Sequence, residues 1–445
     1  MLKMLLISTA LYIAVYLKGC SSAKHPDNED EVRYRHNKQA QAARQASYEP
    51  RVWIDNAPDC QADASHCQHF GLEYVRSDTI SELGHACEGG TKVMCTLPNV
   101  TPLANPTAVN TLKIISYNIF ELPYSAIQSG QRERTCRIPA EIFKLQPDVD
   151  VIVFQEVFLG GCIVTDDDAT SLTLRQILRA YGFVHFTQTV GDHEPKTLPK
   201  MFNGGVFIAS RWPIVTETQK VFVNYDTVSI YEAMLAKGVV YAKVKKTNAG
   251  LSKNYHIFGT HMQSSELPTS VSVRLLQAGE IYEFMQQQKI PVDEPVLHAG
   301  DLNANNIGKP EHAQAVFDTL QATLPLLRGV LRITYDYQHN DFIEDTDPAE
   351  FLDYILFCRL HEQPTNSALE VFRPLIPDPL EICRGDIPYG SFMYPNDPDC
   401  PAVKTVTDLS DHNAVLGVFT YPQSTSSGKF VLTRSSGAKK QDIEY

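Results

Sequence analysis

The sequence predicts an α+β fold in which two β-sheets pack together and helices lie on the outside. Eight short apolar runs between residues 112 and 419 are rich in Val, Ile, Phe and Tyr, and each has the length of a typical strand. Most of these runs are apolar throughout, which is typical of strands buried on both faces. Helical patterns separate only some of the runs, and this irregular order favours packed sheets over a repeating βα arrangement.

The apolar runs and the helical patterns predict the individual elements. In chain order the predicted strands are LKIISYN, DVIVFQE, GGVFIAS, GVVYAKV, YHIFGTH, PVLHAGDLN, FLDYILF and HNAVLGVF. A helix is predicted from Val271 to Met285, because apolar residues there recur at i, i+4, i+7, i+11 and i+14. Weaker helical patterns cover residues 311–322 and 170–180.

The length and charge of the chain narrow the classes of function. The chain has 445 residues, whereas a single hydrophobic core stops growing at roughly 250–300, so we expect one large domain plus accessory segments. It carries 39 basic and 52 acidic residues, a formal net charge of −13, without a basic cluster. A nucleic-acid partner is therefore not expected, since binding to a phosphate backbone depends on clustered positive charge. A metal-dependent enzyme that meets phosphate through bound cations is compatible with this charge.

Composition divides the chain into five predicted segments. They are a signal peptide at 1–22, a flexible leader at 23–50, a Cys-containing accessory segment at 51–110, a large domain at 111–421 and a flexible tail at 422–445. The signal peptide is predicted because Lys3 precedes an apolar run from Leu5 to Leu17 and small residues follow. That run is short for a permanent membrane span, and an N-terminal anchor is the alternative. Lipid attachment at Cys20 is a second alternative, so the protein is expected to be secreted or lipid-anchored.

Ten cysteines fit an exported protein with disulfides. The four in the accessory segment allow three connectivities, among which sequence alone does not choose: Cys60, Cys67, Cys87 and Cys95. In the large domain, Cys136 with Cys162 and Cys383 with Cys400 are the expected pairs, and Cys358 is expected to be a buried free thiol. A zinc site is not expected, because no two cysteines show the C-x-x-C spacing.

Polar residues that can take part in chemistry stand at the ends of the predicted strands. They are Asn118, Glu156, His261, Asp301, Asn303, Asp353, Asp411 and His412. Each of them taken alone is more simply explained as a turn or hydrogen-bonding residue. Strand ends of packed sheets collect at one edge, however, so the ordered set predicts a single site rich in carboxylates, amides and imidazoles.

These motifs carry a resemblance to a known family. The order N…QE…GTH…GDLN…DY…SDH resembles that of the endonuclease/exonuclease/phosphatase superfamily of metal-dependent phosphoesterases. The fuller strings LKIISYNIFELPY, NGGVFIASRWPI, KGVVYAKV and FLDYILF are similar to the secreted sphingomyelinase C branch, over residues 111 to 420. The resemblance implies a four-layer sandwich of two mixed β-sheets flanked by helices. It also implies hydrolysis of sphingomyelin to ceramide and phosphocholine.

Phosphodiester hydrolysis needs a cation and an activated water, and the strand-end residues can supply both. Glu156 is the expected ligand of Mg²⁺ or another divalent cation, with Asn118 beside it and Asp411 as a further ligand or supporting group. Whether one or two ions bind is left open, since Asp301, Asn303 and His412 could hold a second.

The remaining residues are assigned to proton transfer and phosphate binding. His412 is the expected general base, because an imidazole accepts a proton near neutral pH. Asp301 is expected to orient that imidazole or the water, and Asp353 to support the histidines from behind. His261 is expected to contact the phosphate or the leaving alkoxide, and Asn303 a phosphate oxygen. Lys237 is either a phosphate contact or a surface lysine.

The expected partner is a membrane surface that contains sphingomyelin, and no obligate protein partner is inferred. Membrane contact is assigned to four side chains of the segment between Cys383 and Cys400, namely Tyr389, Phe392, Met393 and Tyr394. An ordinary buried hairpin is the alternative for this segment. The rival functions are a secreted metal-dependent endonuclease, a non-catalytic membrane-binding protein and an inositol-phosphate phosphatase.

Overall fold

The computed structural model describes most of the chain after residue 50. The described residues are 51–54, 59–80, 86–99, 107–123, 126–158, 161–164, 171–192, 200–227, 230–344, 348–385 and 398–423. They belong to one compact unit, which begins at Arg51. The predicted signal peptide, leader and almost all of the tail lie outside the described residues, and so do Tyr389, Phe392, Met393 and Tyr394.

A seven-stranded mixed sheet carries the first two site motifs. Its strands, in spatial order, are β10 (His185–Phe186), β11 (Phe207–Ser210), β7 (Val151–Val157), β5 (Thr111–Glu121), β22 (Ala414–Thr420), β19 (Asn366–Phe372) and β17 (Leu326–Arg328). Strands β5 and β7 run parallel, and β22 runs antiparallel to β5. The end of β7 and the beginning of β22 therefore lie at the same edge of the sheet.

A six-stranded mixed sheet carries the other motifs. Its strands, in spatial order, are β12 (Ile214–Val221), β13 (Gly238–Asn248), β14 (Leu251–His261), β15 (Val296–Asp301), β18 (Asp353–Cys358) and β16 (Ala322–Thr323). Strands β14 and β15 are parallel, so that His261 is the register partner of Asp301. Strand β18 is antiparallel to β15 and places Asp353 opposite Asp301.

The two sheets pack face to face, with helices on both outer surfaces. Ile114 and Val153 of the first sheet share one buried core with Val240 and Ile257 of the second. Alternate residues of the first sheet, such as Ile115 and Phe154, form a second core on its outer face. This arrangement confirms the predicted four-layer α+β sandwich.

Six helices are formed by the described residues. They are α1 (Ala64–His69), α2 (Gln131–Leu145), α3 (Leu174–Ala180), α4 (Ile230–Met234), α5 (Pro268–Gln287) and α6 (Pro310–Thr319). Helices α2 and α3 cover the outer face of the first sheet, while α5 and α6 pack on the second sheet. Among the described residues, no helix combines the length and apolar composition needed to cross a membrane.

The accessory segment forms a small sheet of its own. Its strands are β1 (Arg51–Ile54), β2 (Asp59–Gln61), β3 (Glu73–Asp78) and β4 (Gly89–Thr96). Disulfides Cys60–Cys87 and Cys67–Cys95 link it internally. Its core continues into residues of the large domain, including Leu172 and Ile177, so the accessory segment is packed on that domain.

The remaining strands form two small sheets. They are β6 (Gln128–Ser129), β20 (Leu375–Gly385) and β21 (Ala402–Asp408) in one sheet, and β8 (Gly161–Val164) and β9 (Ser171–Thr173) in the other. The predicted helix at 170–180 therefore begins with a short strand, and α3 covers only its second part.

The cysteine predictions of the large domain are correct at one pair and wrong at the other. The Cys383–Cys400 disulfide is formed, and Cys358 is a buried free thiol, both as expected. Cys136 and Cys162, however, are neighbouring buried thiols rather than a disulfide. Burial raises the pKa of both thiols.

Candidate active site

The predicted site residues meet at one edge of the sandwich, where the two sheets are joined by side chains. The Asn118 amide of β5 donates a hydrogen bond to Asp301 Oδ2 of β15, at 3.2 Å. The Ser410 hydroxyl donates to the Asn118 carbonyl at 2.7 Å and accepts the His412 backbone N–H at 3.2 Å. These bonds hold together residues that are far apart in the sequence, since Ser410 and Asn118 are separated by 292 positions.

A buried Asp–His pair is the best-defined element of the site. Asp353 Oδ2 lies 2.8 Å from His412 Nδ1, while His412 Nε2 lies 3.9 Å from Asp301 Oδ2. Burial alone would lower the pKa of His412, but the carboxylates of Asp353, Asp411 and Asp301 raise it well above its ordinary value. The Asp353 bond keeps one proton on Nδ1, so Nε2 is the nitrogen that loses a proton when the ring becomes neutral. Asp353 is therefore the residue that orients His412, and Asp301 faces the other ring nitrogen.

Glu156 has the features of a cation ligand. It takes a left-handed backbone conformation, with φ of 58°, next to the end of β7. Its Oε2 is buried without a hydrogen-bond partner among the described residues. Burial, and then the charge of Asp411, raise the pKa of Glu156 to about 8, while the Asn118 side chain acts in the opposite direction. An uncompensated carboxylate oxygen beside a carboxamide and a second carboxylate is the donor set that a hard divalent cation prefers.

The other carboxylates of the site also lack enough compensating charge. Burial raises the pKa of Asp301 to about 7, and the neighbouring Asp353 adds to this rise. Burial raises the pKa of Asp411 as well. The ligand atoms of Asp301, Asp353 and His412 all lie within 4.8 Å of one another, which is a second candidate grouping for a cation. The site as a whole therefore fits one or more divalent cations.

His261 and Lys237 form a second buried pair on the six-stranded sheet. Lys237 Nζ lies 3.2 Å from His261 Nε2, and that nitrogen is 3.6 Å from Asp301 Oδ2. Burial, followed by the charges of Lys237 and His412, holds the pKa of His261 well below its ordinary value, so the ring is neutral. Lys237 is 4% exposed and also pairs with Glu232 at 2.9 Å. The alternative of a surface lysine at this position is therefore wrong.

Asn303 lies at the rim of the site in a left-handed conformation, with φ of 50°. Its backbone N–H donates to Asp301 Oδ1 at 2.9 Å, which fixes the Asp301 carboxylate. Its side-chain amide donates to the Met262 carbonyl at 3.3 Å. Asn203 accepts the Gly205 backbone N–H at 3.0 Å and so serves a turn.

Arg134 is a residue of the site region that the sequence did not single out. It is fully buried, and its guanidinium donates to the carbonyls of Ile119 at 3.0 Å, Phe120 at 2.7 Å and Leu409 at 2.6 Å, as well as to the nearby Ser129 carbonyl at 2.7 Å. It thereby ties the end of β5 to the loop that carries Asp411 and His412. Burial lowers the pKa of Arg134 to about 10, so the group stays charged at neutral pH. The sequence analysis predicted no helix at Gln131–Leu145 and did not identify Arg134, because the Leu409 carbonyl that it binds lies 275 positions away.

The comparisons with known proteins agree with this architecture. No family model matches the chain. A sphingomyelinase C from Bacillus cereus is 31% identical over 294 residues, which cover 60% of this chain and 81% of the relative. The crystal structure of sphingomyelinase C from Streptomyces griseocarneus covers 69% of this chain and 99% of its own, with a TM-score of 0.55 and 24% identity. A double mutant of beta toxin from Staphylococcus aureus, solved with bound magnesium ions, covers 69% and 99%, with a TM-score of 0.55 and 25% identity.

Replacement of Arg134 by Lys is expected to weaken cation binding as well as stability. Lysine keeps the charge but cannot serve three carbonyls in a fixed geometry, so the free energy of unfolding should fall by about 2–4 kcal/mol. The loop that bears Asp411 would lose its anchor, and we expect Mn²⁺ affinity, measured by titration, to fall about ten-fold.

Arg211 provides the matched control for this substitution. It also donates to three backbone carbonyls, those of Val149, Tyr181 and Pro147, and packs against the rings of Phe143 and Phe183. Arg211→Lys should lower stability and leave Mn²⁺ affinity unchanged. Equal loss of affinity in both variants would show that Arg134 has no particular influence on the site.

Proposed function

The chain belongs to the sphingomyelinase C family, and we propose on this basis that it hydrolyses sphingomyelin to ceramide and phosphocholine with a bound divalent cation. It is a phosphodiesterase, a hydrolase acting on phosphoric diester bonds. The observation that carries the proposal is the buried convergence of Asn118, Asp301 and the Asp353–His412 pair, next to the unpartnered Oε2 of Glu156.

We assign the cation to Glu156, Asn118 and Asp411, and Mg²⁺ is our choice of ion. Carboxylate and amide oxygens are its preferred ligands, and few protein ligands suffice because Mg²⁺ retains several waters. When bound, Mg²⁺ neutralises charge on the phosphate and stabilises the leaving oxygen. A second ion near Asp301 and Asp353 would occupy His412 as a ligand, which would conflict with its use as a base.

His412 is assigned as the general base. Because Asp353 holds the proton on Nδ1, Nε2 is free to accept a proton from a water molecule that attacks the phosphorus. Asp301 faces this nitrogen at 3.9 Å and is assigned to orient the water. The neutral His261 and the charged Lys237 are assigned to the phosphate and the leaving alkoxide, and Asn303 to a phosphate oxygen.

Export and membrane contact complete the proposal. The three disulfides formed by the described residues match an oxidising compartment outside the cytoplasm. We propose that residues 1–22 direct export, with lipid attachment at Cys20 as the alternative. We also propose that Tyr389, Phe392, Met393 and Tyr394 contact a sphingomyelin-containing membrane. Support for this comes from the Cys383–Cys400 disulfide, which closes the segment that holds them.

Substrate class is tested by offering the purified protein three substrates in parallel with Mg²⁺. We expect phosphocholine release from sphingomyelin liposomes, no release from phosphatidylcholine liposomes, and no nicking of plasmid DNA. A chelator should abolish the release. Nicked plasmid with inert liposomes would instead favour the endonuclease.

Cation binding is tested by thermal unfolding with and without Mg²⁺. A ligand that binds only the folded state at 100 times its Kd adds about 2.7 kcal/mol of stability, so Mg²⁺ should raise the Tm of the wild-type protein. Glu156→Gln should lose most of this rise, while its Tm without Mg²⁺ stays the same or increases, because a buried carboxyl group whose pKa is raised in the folded state has been removed. Glu362→Gln, which alters an ion pair with Lys253, is the control and should keep the full response to Mg²⁺. An unchanged response in Glu156→Gln would contradict the ligand assignment.

The base assignment is tested by the pH dependence of kcat/KM. A base acts in its deprotonated form, so activity should rise as the pH increases through the raised pKa of His412. Asp353→Asn removes the charge that raises the pKa of His412 most, so the acidic limb of the pH profile should move to lower pH. The maximal rate should also fall at least ten-fold, as is typical when a general base is impaired.

Asp336→Asn is the matched control, because Asp336 Oδ2 lies at the same 2.8 Å from Nδ1 of His339. That variant should leave the acidic limb in place. An unmoved limb in Asp353→Asn would exclude His412 as the titrating base.

A further inference from the structure

Strands β14 and β15 of the second sheet, which end at His261 and Asp301, are each followed by a loop that exposes one large aliphatic side chain. Leu267 lies six residues after His261 of β14 and is 49% exposed, while Ile307 lies six residues after Asp301 of β15 and is 51% exposed. Strands β14 and β15 are parallel neighbours, so both loops leave the sheet side by side at the edge that holds the site. Each loop then ends at a helix that begins with proline, α5 at Pro268 and α6 at Pro310.

Both loops are held in place by buried polar residues. The Asn305 side chain, 5% exposed, accepts the backbone N–H groups of Ile307 at 2.9 Å and Gly308 at 3.1 Å. The fully buried Arg274 donates to the Ser265 carbonyl at 2.5 Å. The apolar tips are therefore displayed by a fixed backbone, which reduces the ordering cost of binding a surface.

An ion pair links the two loops that carry the tips, and its Glu266 also pairs with the buried Arg274 at 2.8 Å. Lys309 Nζ lies 2.6 Å from Glu266 Oε2 and donates to the Glu266 carbonyl at 3.2 Å. Both side chains are partly exposed, at 44% and 38%. The pair joins the two loops and carries no net charge, in a chain whose net charge is −13. Such a surface has little attraction for an anionic membrane and suits a zwitterionic one.

We propose that Leu267 and Ile307 form a membrane-docking surface that inserts into a zwitterionic lipid bilayer and presents a lipid headgroup to the site. This inference rests on the proposed function, because the phosphodiester of sphingomyelin lies at the bilayer surface. Asp301 and His261 are only 2% and 3% exposed, so a headgroup reaches them only if the bilayer comes down onto the loops that follow these strands. Two aliphatic tips at that position supply apolar contact without electrostatic attraction.

The test uses a double variant, Leu267→Ser with Ile307→Ser, in the full chain. Binding is measured by co-sedimentation with sphingomyelin/phosphatidylcholine vesicles in the presence of a chelator, so that no lipid is consumed. Losing two partly inserted aliphatic side chains should reduce the partition coefficient about ten-fold or more. With Mg²⁺, hydrolysis of vesicle sphingomyelin should fall to a similar extent. Hydrolysis of a water-soluble phosphocholine ester should stay within about two-fold of the wild type, because neither residue touches the site.

The same two strands provide a matched control at their opposite ends. Leu251, 55% exposed, begins β14, and Val292, 74% exposed, precedes β15. Leu251→Ser with Val292→Ser removes the same kind of surface away from the site and should leave vesicle binding and hydrolysis unchanged. Ile307→Trp offers a second measurement, since its added fluorescence should shift to shorter wavelength on vesicles.

Several results would contradict the proposal that Leu267 and Ile307 form a docking surface. They are wild-type partition in the Leu267/Ile307 double variant, equal loss in the control pair, loss of soluble-ester hydrolysis in the double variant, or an unshifted Ile307→Trp spectrum. Binding that requires anionic lipid would also contradict the neutral-surface argument. If the proposed function is wrong, the result is different. The wild-type protein would then leave both vesicle sphingomyelin and the soluble ester intact, while its partition onto vesicles could still be compared with that of the double variant.

Discussion

Repulsion among buried carboxylates is the constraint on which this structure depends. Asp301 and Asp353 lie opposite each other on neighbouring strands, and Asp411, which precedes β22, raises the pKa of Glu156 at the same edge of the first sheet. Burying such charges without compensation costs several kcal/mol each, and proteins offset that cost with cations, hydrogen bonds or bound metal. Lys237 and Arg134 supply only part of the positive charge that would neutralise these buried carboxylates. The folded chain is thus prepared for a divalent cation at the place where phosphodiester chemistry needs one.

The two sheets share the task of holding this site together. The first sheet contributes Asn118 and Glu156, the second contributes Asp301 and Asp353, and the Asn118–Asp301 hydrogen bond joins them. His412 comes from the first sheet but takes its orientation from Asp353 of the second. The geometry of the candidate site is therefore coupled to the packing of the whole sandwich, and small changes in how the sheets meet would alter the distance between His412 and Glu156. The loops that extend beyond these strands connect the same framework to the lipid surface.

The sequence was informative about elements with strong local signals and weak about long-range contacts. The eight apolar runs became strands because their β-branched and aromatic residues are buried on both faces, and the Val271–Met285 pattern became α5. Strands β12 and β19 were not predicted, since exposed polar residues interrupt their apolar pattern. Arg134 was not recognised because three distant carbonyls define its role. The Cys136–Cys162 pair was predicted to form a disulfide, but both residues are buried free thiols, and the sequence does not show which cysteines are bonded.

We propose that one rim of the sandwich binds a divalent cation through Glu156, beside the Asp353–His412 pair. Anomalous diffraction from crystals of the full chain, grown with Mn²⁺ in place of Mg²⁺, locates such an ion. We expect a strong peak about 2.0–2.3 Å from Glu156 Oε2, with further oxygen ligands from Asn118 or Asp411 or from water. An anomalous peak elsewhere, with Glu156 Oε2 still lacking a cation at saturating Mn²⁺, would contradict it.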